Sequence, residues 1–77
     1  MFSFDPNPCR TVLHVYPRRD LGRCEVTVCD VVGRPVAEAN RAEGGIDVDM
    51  SDLAPGSYVV VLRTRTRQAA RHVVLLR

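Results

Sequence analysis

The sequence predicts an all-β antiparallel sandwich of about seven strands, and three observations lead there. Short segments alternate apolar and polar residues with period 2, most clearly Ile46, Val48 and Met50 against Asp47 and Asp49. Clusters of Pro, Gly, Asn and Asp separate these segments at intervals of about 8–12 residues. No segment carries the i, i+3, i+4, i+7 apolar spacing of an amphipathic helix.

The central stretch, residues 46–62, reads as strand, corner, strand. After Leu53, Ala54-Pro55-Gly56-Ser57 has the composition of a type II turn, since Pro presets φ at its second position and Gly tolerates positive φ at its third. Tyr58, Val60 and Leu62 resume the alternation. Tyr58 stands where a tyrosine corner would bury its ring and bond its hydroxyl to backbone a few residues upstream.

From the N-terminus, Phe2-Ser3-Phe4 is a first strand, ended by Asp5-Pro6-Asn7-Pro8, where two prolines and an Asn impose an extended turn. Thr11–Tyr16 is β-rich, with Leu13 and Val15 facing inward and His14 outward as a surface residue. Residues 17–22 form a charged loop. Cys24–Asp30 alternates again and, with Pro35–Ala39, makes a hairpin in which Asp30 bonds the turn backbone and Gly33 takes positive φ. Pro35 suits an edge. Residues 40–45 are a loop, residues 63–68 a polar connection, and residues 69–77 the last strand. Strands of this number and spacing indicate an immunoglobulin-like sandwich.

Composition sets limits. At 77 residues the chain is one domain, residues 1–77. Its 11 basic residues are all Arg and are spread along the chain, for a formal charge of +2, which does not imply strong nucleic-acid binding. No apolar stretch approaches the roughly 20 residues of a membrane helix. The N-terminus lacks a signal peptide's positive start and apolar middle, so the chain is not expected to direct its own export. Cys9, Cys24 and Cys29 lack metal-ligand spacing, and Cys24 and Cys29 should point to opposite faces of one strand; buried thiols are the main reading, with a disulfide through Cys9 as the alternative.

No nucleophile, base and orienting acid are spaced as in an enzyme, no phosphate loop lies between a strand and a helix, and no cofactor is expected. Asp47, Asp49 and Asp52 are the one carboxylate cluster. Ca²⁺ binding and a solvated strand face are both readings of it, and the missing bidentate acid favours the second, so no metal site is expected. Arg63 and Arg65, with Arg71 across the last hairpin, make a basic patch for phosphate or anionic glycan, or else a solvated edge; no aromatic residue interleaves them as single-stranded nucleic acid would require. Residues 59–62 and 73–76 are apolar on both faces, which a two-layer sandwich does not need. An outer covering, such as a docking partner or a second copy, accounts for the excess as well as plain β-propensity does.

Three segments together resemble the type A, Por-type C-terminal sorting domain of type IX secretion cargo. Phe4-Asp5-Pro6-Asn7-Pro8 is similar to its opening Pro-Asn-Pro motif, and Val26 to Val36 to its strand, Asp, two residues, Gly and basic residue. Ile46 to Leu62 is similar to its acidic strand, Leu, Pro-Gly and Tyr followed by a valine-rich strand. The structural motif residues are then Pro6, Asn7, Pro8, Asp30, Gly33, Leu53, Pro55, Gly56 and Tyr58. Where the family often ends in a Lys-containing strand, this chain has Arg71-His72.

The resemblance implies a non-catalytic address for a cargo that is N-terminal to it and absent from this chain. Its partners would be the outer-membrane type IX machinery and a sortase that removes the domain and attaches the cargo to the cell surface. Localisation would be periplasmic in transit, then cell surface or secreted. The expected recognition surface is Val59, Val61, Arg63, Arg71, Val73, Leu75 and Arg77, so deleting residues 73–77 should abolish export. Two other readings compete: an accessory immunoglobulin-like or fibronectin-like domain that binds glycan or packs on a catalytic neighbour, and a homodimer through apolar strand faces.

Overall fold

A computed structural model describes residues 2–18, 23–42 and 45–76. The chain is all-β, with β1 Phe2–Asp5, β2 Val12–Pro17, β3 Glu25–Cys29, β4 Pro35–Ala42, β5 Gly45–Asp49, β6 Gly56–Arg63 and β7 Gln68–Leu75. All neighbouring strands pair antiparallel, in the order β1-β2-β5-β4-β3-β6-β7. This is the immunoglobulin-like sandwich expected, built as one curled sheet.

The curl is made by β4. Its first residues pair with β3, Glu38 opposite Thr27, and its last pair with β5, Ala39 opposite Val48. One strand therefore belongs to a first half-sheet (β1, β2, β5) and a second (β3, β6, β7). The sequence predicts a weak strand ending at Ala39 and a loop over residues 40–45, because Asn40 and Arg41 interrupt the apolar pattern. Strand instead continues to Ala42 and resumes at Gly45, held by pairing with β5. Pro35 pairs only with Cys29, so it does sit at a local edge.

The other side of the sandwich is closed by the segment after β1. Cys9 forms a parallel bridge with Leu75; its amide donates to the Val74 carbonyl at 2.7 Å, and its carbonyl accepts from the Leu76 amide at 2.7 Å. Asn7 adds its side-chain carbonyl as acceptor for the Val74 amide at 3.3 Å. The Pro-Asn-Pro stretch, with cis bonds before Pro6 and Pro8, thus carries the chain from the first half-sheet to the edge of the second.

Alternation fills the space between the halves. Leu13, Val15, Val48 and Met50 from the first face Val28, Val60, Leu62, Val73 and Leu75 from the second, all fully buried. Cys9 and Cys24 are buried within the same core, Cys29 is half-buried, and all three are thiols rather than half-cystines.

The β5–β6 connection crosses between the halves, as the corner chemistry predicts. Gly56 has φ 150, in the region open to Gly, and the Tyr58 hydroxyl donates to the Ala54 carbonyl. The closing backbone bond lies earlier than a type II turn over Ala54–Ser57 would place it: the Leu53 amide donates to the Met50 carbonyl at 3.2 Å. The tyrosine hydroxyl ties down the rest.

Candidate functional site

Each half-sheet turns one face inward and leaves one outward, and the two outer faces differ. On the first, strand register lines up Asp5, His14 and Asp47, one behind another across β1, β2 and β5. His14 Nδ1 donates to Asp47 Oδ1 at 2.7 Å. The Tyr16 hydroxyl reaches Asp5 at 3.5 Å, and its phenol is raised above the usual value by desolvation first and then by the Asp5 and Asp47 carboxylates. Asp49 accepts from the Ser51 amide at 2.9 Å, and its bonds to Ser51 lower its pKa. Asp52 is exposed. Among the described residues no three His, Cys, Asp or Glu side chains converge as a metal ion would require.

The second outer face is built in three cross-strand rows. Cys29, Val59 and His72 form one; Thr27, Val61 and Ala70 the next; Glu25, Arg63 and Gln68 the last. Val59 and Val61 are half-buried by their neighbours, and Arg63 Nε donates to Gln68 Oε1 at 3.1 Å. A shallow concavity of about 300 Å³ lies on this face, lined by Thr27, Cys29, Gly33, Pro35, Glu38, Val61 and Arg63. The middle is apolar and the margin carries Glu25, Glu38, Arg63 and His72. An apolar centre with a polar rim is the pattern of a protein-binding patch.

Of the residues expected to form the recognition surface, Val59, Val61 and Arg63 lie together here. Val73 and Leu75 do not: both are fully buried in the core, opposite Tyr58 and Gly56. The exposed apolar residues near the chain end are Val74 and Leu76, 39% and 38% exposed. Arg71 pairs with Val60 and so projects to the inner side of β7, away from Arg63, although it remains exposed. No single face assembles Arg63 with Arg71. Arg77 lies outside the described residues.

The β3–β4 turn adds two residues that sequence reasoning passed over. Asp30 Oδ1 accepts from the Val32 amide at 3.1 Å and the Arg34 amide at 2.9 Å, and its Oδ2 accepts from Arg34 Nε at 3.1 Å. The backbone bond from Arg34 is the main cause that lowers the Asp30 pKa. Gly33 has φ 91 and donates its amide to the Asp30 carbonyl at 3.0 Å. This turn presents Val31 and Val32, 74% and 70% exposed, at the same end of the second half-sheet as Val74. Their signal was available: two valines inside a turn have no core to enter.

A family model described as the secretion system C-terminal sorting domain matches residues 4–76. The chain belongs to this family. The sorting domain is a signal for type IX secretion, which exports proteins across the outer membrane to the cell surface or the medium, and domains of this kind are generally non-catalytic. The match takes in the end of β1 and the whole of β2 to β7. In this sorting domain the Pro-Asn-Pro segment closes the sandwich, Asp30 and Gly33 shape the β3–β4 hairpin, and Leu53 to Tyr58 make the corner. No curated protein and no solved structure gives a significant match to the chain.

Proposed function

We propose that the chain is a one-domain sorting module read by the outer-membrane type IX machinery through the outer face of its second half-sheet. The reading rests on one observation: Val59 and Val61, flanked by Thr27, Ala70 and Arg63, form an apolar centre on a sheet whose other face is already committed to the core. Burying such a centre against a partner gains roughly 25 cal/mol per Å² of apolar surface, before the cost of association. Val74 and the Val31-Val32 tip extend the surface toward one end. The module follows its cargo in the chain, meets the machinery in the periplasm, and is removed by a sortase as the cargo is attached to the cell surface. Its role in this reading is non-catalytic, as that of such sorting domains generally is.

Deleting residues 73–77 is a poor test, because Val73 and Leu75 belong to the core and their loss would unfold the module. The double substitution V59K/V61K changes the outer face alone. Behind a signal peptide and a fluorescent passenger, the folded variant should leave the passenger in the periplasm of a host with a working type IX system. Export at the parental level from a folded V59K/V61K module would refute the assignment of this face. Sedimentation at several concentrations separates a second copy from a machinery component as the face's occupant.

A further inference from the structure

Of the basic residues grouped by sequence spacing, Arg63 and Arg65 do assemble, but their companion is Arg23 and not Arg71. Arg23, just before β3, is brought beside the β6–β7 turn, and with Thr64, Arg65 and Thr66 it lines an open cup of about 400 Å³. A second recess of about 190 Å³ adjoins it, lined by Arg23, Glu25, Arg63, Thr64 and Arg65. Thr64 fixes the turn. Its Oγ1 accepts from the Arg67 amide at 3.0 Å and the Thr66 amide at 3.4 Å, while its amide donates to the Arg67 carbonyl at 2.8 Å. Arg63 is held by Gln68, whereas Arg23 and Arg65 are in no ion pair or side-chain hydrogen bond among the described residues.

We infer that this cup is a binding site for a phosphate group. Two arginines lining one cavity, Arg23 and Arg65, match the charge of a phosphate monoester, and a guanidinium offers the planar fork that pairs with two of its oxygens. Thr66, also in the lining, carries a hydroxyl that can serve as a neutral donor. Nothing aromatic lines the cup, so it recognises the phosphate and not an attached base or sugar ring. Glu25, in the adjoining recess, sits beside Arg63 in the strand register and not in the cup itself. The cup lies at the end of the second half-sheet opposite Val74 and the Val31-Val32 tip, and its lining does not include Val59 or Val61.

The test titrates inorganic phosphate into the full chain at constant ionic strength while backbone amide resonances are followed. Saturable shifts should centre on residues 64–67 and Arg23. R23Q and R65Q should each weaken binding about tenfold, the loss of one charge-assisted contact. R71Q removes the same charge from the inner side of β7 and should leave binding unchanged. Co-sedimentation with phosphatidylcholine vesicles containing about one-fifth phosphatidic acid, compared with phosphatidylcholine alone, assigns the source. Vesicle binding that R23Q abolishes identifies a lipid headgroup; saturation by inorganic phosphate without vesicle binding identifies a soluble phosphate. No saturable shift, or an R71Q effect as large as that of R23Q, would overturn the site.

Discussion

The two outer faces of this sandwich are made by the same alternation but end in opposite conditions. On the first half-sheet, His14 bonds Asp47, Tyr16 reaches Asp5 and Asp49 caps Ser51, so the polar groups satisfy one another or meet water. On the second, Val59 and Val61 sit among Thr27, Cys29 and Ala70 with only a margin of charge. The difference is one of chemistry, and under the proposed function it makes the second face the one that a partner covers. A polar face gains nothing from being covered, whereas an apolar one does.

Substitutions that separate inside from outside on one strand sharpen this contrast most. Leu75→Ala should cost about 2–5 kcal/mol in chemical denaturation, since Leu75 is fully buried and its removal leaves a cavity. Leu76→Ala, one residue on and exposed, should change stability by no more than about 0.5 kcal/mol. Equal costs would mean that the alternation along β7 has been assigned wrongly.

At the corner that joins the halves, Tyr58→Phe keeps the buried ring and removes the hydroxyl bond to the Ala54 carbonyl. A loss of about 1 kcal/mol is expected by thermal or urea unfolding. A neutral result would leave the corner held by its backbone alone.

Acid unfolding compares the hairpin tip with the polar face. Asp30 and Asp49 both have folded pKa values below the ordinary one. Their contribution to stability is therefore fully present above the unfolded carboxylate value, near about 4, and is lost as pH falls through the lower folded value. Asp30→Asn should flatten the acid limb of the stability profile more than Asp49→Asn. Asp30 accepts from two amides and a guanidinium, whereas Asp49 is bonded by Ser51 alone. The reverse order would show that the tip is not held as its geometry indicates.

The smallest effect belongs to the exposed pair on the first face. Asp47→Asn should change stability by no more than about 0.5 kcal/mol, because both side chains of the His14–Asp47 pair are over two-fifths exposed. A larger loss would make that face a structural element in its own right.

Local chemistry was legible in the sequence and non-local placement was not. Asp30, Gly33 and Tyr58 act within four residues of their partners, so turn composition identified them. The His14–Asp47 bond spans 33 positions and Asn7 to Val74 spans 67; both depend on which strands become neighbours. The error over Arg71 has a single cause. The β6–β7 turn sets Arg63 opposite Gln68, so even-numbered residues of β7 share the outer face, and a one-residue change there would exchange the faces. Val73-Val74-Leu75-Leu76 is apolar throughout and carries no parity of its own, which is why Val73 and Leu75 were expected outside. Arg23 joined the β6–β7 turn because β3 pairs with β6, a neighbour relation that its sequence position does not reveal.

The most direct measurement is surface fluorescence of a passenger fused ahead of residues 1–77, in hosts with and without a working type IX system. It compares the parent with V59K/V61K and with H14Q/D47N, each first shown to be folded. Recognition through the second outer face requires system-dependent surface signal for the parent and H14Q/D47N and a loss of at least about tenfold for V59K/V61K, as for removal of a hot spot. Full export of V59K/V61K alongside loss for H14Q/D47N would contradict it and move recognition to the other face.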